Sequence, residues 1–73
     1  MAVYQIKVSG NLDEYWASWF NRMNITTELD GNERPITVFI GPISDQAELR
    51  GFLTKIWDLN MELLSVKKIT REV

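Results

Sequence analysis

Asp45 and Gln46 are the polar neighbours most able to form a binding site in this sequence. They follow Gly41-Pro42, where a predicted strand passes the chain to a predicted helix, and the free amides of a helix N-terminus can hold an anion. The carboxylate of Asp45 would occupy that position itself and repel the anion. We therefore expect Asp45 to cap the helix and Gln46 to hold the Gly-Pro loop, and a further role for either residue stays open.

Groups for catalysis are sparse along the 73 residues, which include no histidine and no cysteine. The remaining nucleophiles are hydroxyls, lysines and carboxylates, and no base is identifiable beside any of them. Acylphosphatase-like proteins place an arginine just after a phosphate loop, but none lies between Lys7 and Phe20 to bind an oxyanion. Without thiols, soft-metal transfer is excluded as well. We predict that the protein is not an enzyme and has no metal and no cofactor.

The charge pattern argues against nucleic acid and membranes as partners. Ten acidic and eight basic residues give a net charge of −2, and the basic ones are scattered except for Lys67, Lys68 and Arg71. Nucleic-acid binding normally requires a basic stripe. No apolar run approaches the roughly 20 residues of a membrane span, and Met1 to Lys7 lacks the pattern of a secretory signal. We predict a cytoplasmic protein.

Two hydrophobic periods divide the chain into six elements that would position these residues. Alternating apolar residues indicate strands, and apolar residues three and four apart indicate helices. Asp30-Gly31 indicates a hairpin turn, because glycine readily takes a positive φ angle. The predicted elements are strand 3–8, helix 12–23, strand 25–29, strand 36–40, a helix capped by Ser44 or Asp45 and ending near Asn60, and strand 63–66 running into 67–69.

The first helix contains an unusual concentration of aromatic residues. Asn11 and Glu14 have the spacing of an N-terminal capping pair. Apolar residues then recur on one side of the helix, which predicts packing in the core rather than a ligand surface. Tyr15 and Phe20, at the edges of this stripe, stay open to a second role. The stripe comprises Leu12, Tyr15, Trp16, Trp19, Phe20 and Met23.

The order βαββαβ predicts an α+β fold, the ferredoxin-like split βαβ sandwich, with residues 1–73 as one domain. Its four-stranded antiparallel sheet would have the strand order 4-1-3-2 and two helices on one face. Polar and lysine-bearing strands would then form the edges, which discourages further strand pairing. The alternation predicts that Tyr4, Ile6, Val8, Ile36, Val38 and Ile40 face the helices.

The second half of the chain resembles a group of short bacterial and archaeal proteins. The resemblance is carried by a Gly-Pro, an Asp-Gln helix start, leucines at helical spacing and a closing Leu-Leu-Ser-Val. The first half is similar to the same proteins through its YQIKV strand and its Trp and Trp-Phe helix. The group has no established activity, so the resemblance implies one compact domain and no reaction. The shared residues are Gly41, Pro42, Asp45, Gln46, Leu49, Leu63, Leu64 and Ser65.

The predicted helix-free face of the sheet is the leading candidate for function. We expect a non-catalytic interaction or regulatory module that forms a homodimer through this face or binds another protein. The alternative is a small-molecule sensor, similar to amino-acid-sensing ACT domains, with a ligand at a subunit interface near Ser9, Gly10 and Asn11. RNA stacking requires a second ring beside Phe39, and the strand offers none. The predicted interaction residues are Val3, Gln5, Lys7, Thr37 and Phe39.

Overall fold

Strands and helices follow one another in the predicted order. The computed structural model describes residues 2–20 and 22–69, so Arg71 of the predicted basic group lies outside the described residues. A short 3₁₀ helix directly follows the first α-helix. The elements are β1 (Ala2–Ser9), α1 (Glu14–Ala17), the 3₁₀ helix (Ser18–Phe20), β2 (Asn24–Leu29), β3 (Pro35–Ile43), α2 (Gln46–Asp58) and β4 (Leu63–Lys68).

The four strands form one antiparallel sheet in the order β2-β3-β1-β4. β1 pairs with β3 on one side and with β4 on the other, while β2 and β3 form a hairpin. Both helical segments lie on the same face of the sheet, because Phe20 of the 3₁₀ helix and Phe52 of α2 each contact Phe39 of β3. The predicted α+β class and strand order are confirmed.

β3 extends further than the sequence predicts. Gly41-Pro42 was expected to end this strand, but pairing with β1 continues to Ile43. The pairing of β3 with β2 ends at Ile40, so at Pro42 the strand has β1 as its neighbour and the other side is open. A proline without an N–H is tolerated in such an edge position.

The facing of β3 is the reverse of the prediction. The register pairs Phe39 with Ile6 and Thr37 with Val8, and Ile6 and Val8 point toward the helices. Phe39 and Thr37 are fully buried, so their predicted position on the helix-free face is wrong. The hydroxyl of Thr37 is satisfied because it donates a hydrogen bond to the carbonyl oxygen of Gly10 at 2.6 Å.

Three phenylalanine rings account for this reversal. The rings of Phe20 and Phe39 lie 5.0 Å apart between centroids, those of Phe20 and Phe52 5.0 Å, and those of Phe39 and Phe52 5.1 Å. Tilted and edge-to-face ring pairs at this distance are favourable beyond the area that they bury. Turning β3 over would remove Phe39 from this cluster, so the cluster places Ile36, Val38 and Ile40 on the helix-free face.

The first helix is much shorter than the predicted 12–23. Asp13, rather than Asn11, is the N-cap, and its carboxylate accepts a hydrogen bond from the N–H of Tyr15. After Ala17 the tighter 3₁₀ turn changes the angle between successive side chains, so the helical stripe no longer describes what is buried. Phe20 is buried, whereas Tyr15 is 73% and Trp19 45% exposed. The prediction that Trp19 lies at the centre of the core stripe is wrong.

α2 agrees closely with the prediction. Asp45 is the N-cap and accepts a hydrogen bond from the N–H of Glu48 at 2.9 Å. Asn60 ends the helix with a φ of 60°, and Met61 N–H donates to the carbonyl of Ile56, which is the Schellman arrangement. The apolar residues that recur three and four apart along α2 all join the core, and these are Leu49, Phe52, Leu53, Ile56 and Leu59.

The hairpin between β2 and β3 is confirmed, but its positive φ angle is at Glu33 (61°) rather than at Gly31. Asp30 organises this turn, since its carboxylate accepts hydrogen bonds from the N–H groups of Asn32 and Arg34 at 2.7 and 2.9 Å. These two bonds, that of Arg34 first, lower the pKa of Asp30 below its usual value.

Candidate interaction surface

The face of the sheet away from the helices presents a mixed apolar and charged surface, which we term the open face. Its residues follow from the register, because residues paired across neighbouring strands point to the same side. The open face comprises Val3, Gln5 and Lys7 of β1, Ile36, Val38 and Ile40 of β3, Thr26 and Glu28 of β2, and Ser65 and Lys67 of β4.

Three of the five predicted interaction residues, Val3, Gln5 and Lys7, lie on the open face as expected from the alternation in β1. Thr37 and Phe39 do not, and their neighbours Ile36, Val38 and Ile40, which were predicted to face the helices, lie there instead. Both alternating sets of β3 are apolar, so periodicity alone could not choose between them. The available signal was Gly41, which shares a face with Phe39 and leaves room there for Met23.

An ion pair crosses the open face. The Nζ atom of Lys7 lies 3.1 Å from Oε2 of Glu28, although Lys7 is on β1 and Glu28 is on β2. β3 lies between these strands, so the Lys7 side chain must pass over it near Val38, its pairing partner. Val38 is only 3% exposed on a face without helices. A long lysine side chain can cover apolar surface with its aliphatic stem while its charged end stays in water, and the path of Lys7 over Val38 is consistent with this burial.

The two edges of the open face carry opposite charges. Glu28 is on the β2 edge of the sheet, and Lys67 is on the β4 edge, where it pairs with Gln5 of β1. Both edge residues are exposed to solvent. The apolar centre formed by Val3, Ile36 and Ile40 therefore lies between an acidic edge and a basic edge.

The turn after β1, predicted as a weak ligand candidate, is held by internal hydrogen bonds. Ser9 N–H donates to the carbonyl of Glu62 at 2.9 Å, and Gly10 N–H donates to that of Pro35 at 2.8 Å. Gly10 has a φ of 100°, which favours glycine, and its carbonyl accepts the Thr37 hydroxyl. Asn11 is exposed. These contacts give Ser9 and Gly10 a role in joining three strands.

The start of α2, where Asp45 and Gln46 raised the possibility of an anion site, is occupied by carboxylates. Asp45 caps the helix, and the carboxylate of Glu48 accepts a hydrogen bond from Ser44 N–H. Glu48 also forms an ion pair with Arg22, whose Nη1 lies 3.1 Å from Oε2. The pKa of Glu48 lies below its usual value. The hydrogen bonds from Ser44 are the main cause, and the positive charge of Arg22 is a smaller one. Gln46 is exposed. The arrangement fits capping rather than anion binding.

Within residues 2–20 and 22–69, no three metal-ligating side chains of His, Cys, Asp or Glu type gather into a group that could hold an ion. Among the same residues, no helix is both long enough and apolar enough to cross a membrane. Residues 3–67 match a family model described as Domain of unknown function (DUF8691). No curated protein and no solved structure matches the chain significantly.

Proposed function

Because the chain belongs to the DUF8691 family, a domain of unknown function, we propose a role from its geometry: a non-catalytic interaction module that forms a homodimer through the open face. The observation that carries this proposal is the apolar centre of that face. Ile36 and Ile40 are apolar residues of a central strand, yet they point away from both helices and remain half-buried. A second sheet packed on them would remove this apolar surface from water.

The size of the open face suits a weak dimer. Four strands about 4.8 Å apart and six to nine residues long at ~3.3 Å per residue span roughly 500 Å². Two such faces bury roughly 1,000 Å² in total, at the lower limit of specific interfaces. We therefore expect association to depend on protein concentration rather than to be permanent.

The charges on the open face favour a second copy as the partner. A twofold axis parallel to the strands turns one sheet over onto the other, so that the β2 edge of one copy meets the β4 edge of its partner. Glu28 and Lys67 lie on these two edges and carry opposite charges. In such a dimer Glu28 of one copy and Lys67 of its partner lie on facing edges but four residues apart along the strands, so their attraction is long-range and favours this orientation only weakly over one that joins like edges.

The Lys7–Glu28 ion pair limits the affinity of such a dimer. Both side chains are partly exposed, with 31% and 49% of their surfaces accessible. Covering them with a second sheet removes water from two charges, and this desolvation opposes the gain from the apolar residues. The pair also prevents the face from being continuously apolar, which lowers the risk of uncontrolled aggregation.

The proposal is tested by replacing Ile40 with lysine. The charge lies at the centre of the open face, so Ile40→Lys should give a monomer at concentrations where the natural protein dimerises. Leu29→Lys is the matched control, since Leu29 is 63% exposed and lies on the helix side of β2. The same chemical change there should leave the dimer intact. Sedimentation velocity measures both masses, and circular dichroism checks that each variant is folded.

Dimers that persist in folded Ile40→Lys would contradict the proposal, as would loss of the dimer in Leu29→Lys alone.

The residues of the family resemblance have structural contacts instead: Leu49 and Leu63 pack on the core, and Asp45 caps α2. We propose that this shared pattern maintains the fold. The ferredoxin-like relationship, the cytoplasmic location and ligand sensing at Ser9, Gly10 and Asn11 stay predictions.

A further inference from the structure

A crevice of about 290 Å³ opens on the helix side of the molecule, between the middle of α2 and a segment formed by the 3₁₀ helix with Arg22 and Met23. Ile43 and Met23 line its inner part, and Phe52 lines the wall formed by α2. Its volume is at the small end of the range of about 300–1,000 Å³ that ligand pockets usually have. The space suits one ring or a short branched chain.

Two glycines shape the surroundings of this crevice, Gly41 through the packing of a neighbouring segment and Gly51 as a lining residue. A Cβ atom on Gly41 would lie 2.5 Å from the sulfur of Met23 and 2.9 Å from the carbonyl oxygen of Arg22, so only glycine allows that segment to lie across β3. Gly51 lies inside α2, where glycine destabilises a helix by about 0.5–1 kcal/mol relative to alanine. A Cβ atom there would meet nothing within 4 Å. Close packing therefore does not explain Gly51, and the crevice lies beside it.

Aromatic side chains form much of the wall. Trp19 is 45% exposed and lines the crevice together with Phe20 and Phe52, whose ring centroids are 5.0 Å apart. Trp16 stacks edge-on against Trp19 at 4.4 Å, which fixes the indole beside the opening. A planar apolar group entering the crevice would find ring edges and faces to pack against.

The rim carries two cations and one carboxylate. Nη1 of Arg22 contacts Glu48, and the second oxygen of Glu48 accepts the N–H of Ser44, so the carboxylate is already paired. Nζ of Lys55 donates to the carbonyl of Trp19 at 3.3 Å. An ammonium has three N–H donors and a guanidinium has five, so each cation can still donate a hydrogen bond to a further anion. The net charge of the rim is positive.

We infer that this crevice binds a small monocarboxylate with a planar or branched apolar body. The apolar part packs against Trp19 and Phe52, and the carboxylate lies at the rim between Lys55 and Arg22. Charge-assisted hydrogen bonds from these two cations select an acid over a neutral analogue of the same shape. Since the crevice lies on the helix side, this inference stands apart from the proposed dimer of the open face.

The test compares phenylacetate and indole-3-acetate with their amides, which keep the shape and lose the charge. Titration followed by amide chemical shifts should give a Kd of roughly 0.1–1 mM for the acids, in keeping with about a dozen heavy atoms. The amides should bind roughly fivefold more weakly, because the rim cations are partly exposed. The shifts should centre on residues 19–23 and 48–55.

Two variants locate the site. Gly51→Leu fills the crevice and improves helix propensity, so it should raise the melting temperature and abolish binding. Ala47→Leu is its control, because Ala47 is exposed on the same helix and does not line the crevice. Lys55→Gln should bring acids and amides to similar affinity, whereas Lys68→Gln, at an exposed position of β4, should change neither.

Three results would overturn the inference. These are no shifts at concentrations about tenfold above the expected Kd, equal binding of acid and amide by the natural protein, and undiminished binding by a folded Gly51→Leu variant. If Gly51→Leu does not fold, the decision rests on Lys55→Gln. Unchanged selectivity for the acid in Lys55→Gln would then exclude the crevice as the site.

Discussion

On the helix side of β3, Thr37 and Phe39 are fully buried, whereas on the open side Ile36 and Ile40 remain half-buried although they are apolar. Successive residues of β3 thus belong to two different surfaces. One is fully packed, and the other leaves apolar side chains partly exposed to water. The helix side is filled by aromatic rings and by side chains with satisfied hydrogen bonds, while the Lys7–Glu28 ion pair crosses the open side. The helix side of β3 therefore maintains the fold, and the open side is the surface left for a partner.

The largest difference between the two sides of β3 is expected when one residue is truncated on each side. Phe39→Ala removes a ring from the three-ring cluster and should destabilise the protein by about 3–5 kcal/mol, which a domain of this size barely tolerates. Ile40→Ala should lower stability by about 1–2 kcal/mol, because its side chain is only half-buried. Urea denaturation of dilute protein measures both changes. Equal losses would contradict the assignment of the two faces.

A smaller effect is expected at Gly41, where the helix side of β3 meets the segment of Arg22 and Met23. Gly41→Ala places a methyl group against backbone and sulfur atoms and should destabilise the fold by about 1–3 kcal/mol. Gly31→Ala is the control, since a Cβ there meets nothing within 4 Å and its φ is not positive. Thermal unfolding of the two variants should differ clearly in midpoint. A neutral Gly41→Ala would disprove the close approach.

The cap of α2 tests the helix side at its boundary. Asp45→Ala removes the hydrogen bond to Glu48 N–H and should lower the free energy of unfolding by about 1 kcal/mol. Asp45→Asn is the matched variant, because asparagine caps helices nearly as well and keeps the acceptor. Thermal unfolding distinguishes them. Equal losses in the alanine and asparagine variants would show that charge, rather than the capping bond, is responsible.

The smallest expected effect is the response to acid. Folding lowers the pKa of Glu48 and of Asp30, so their contribution is present above the unfolded-state pKa values, near pH 4, and is lost as the pH falls through the folded values. Urea midpoints measured from neutral pH to about pH 3 should therefore decline in acid. Glu48→Gln should reduce this decline. If the urea midpoint falls as steeply in acid in both Glu48→Gln and Asp30→Asn as in the natural protein, these two carboxylates are not its cause.

These two sides also differ in how far the sequence predicts them. The start and the end of α2 were predicted correctly, because Asp45 and Asn60 act through local hydrogen bonds that chain position determines. The length of α1 was not, since only contacts with the sheet decide that Phe20 is buried and Trp19 exposed. The facing of β3 depends on Phe39 meeting Phe20 and Phe52, both distant along the chain. The interaction residues on β3 were missed for that reason.

The mass in solution decides whether the open face joins two copies of the chain. Light scattering over a wide range of protein concentration should show a mass rising reversibly from 8.5 kDa toward twice that value. A weak dimer of this size must dissociate on dilution. A mass that stays at that of one chain throughout the range would show that the open face does not join two copies.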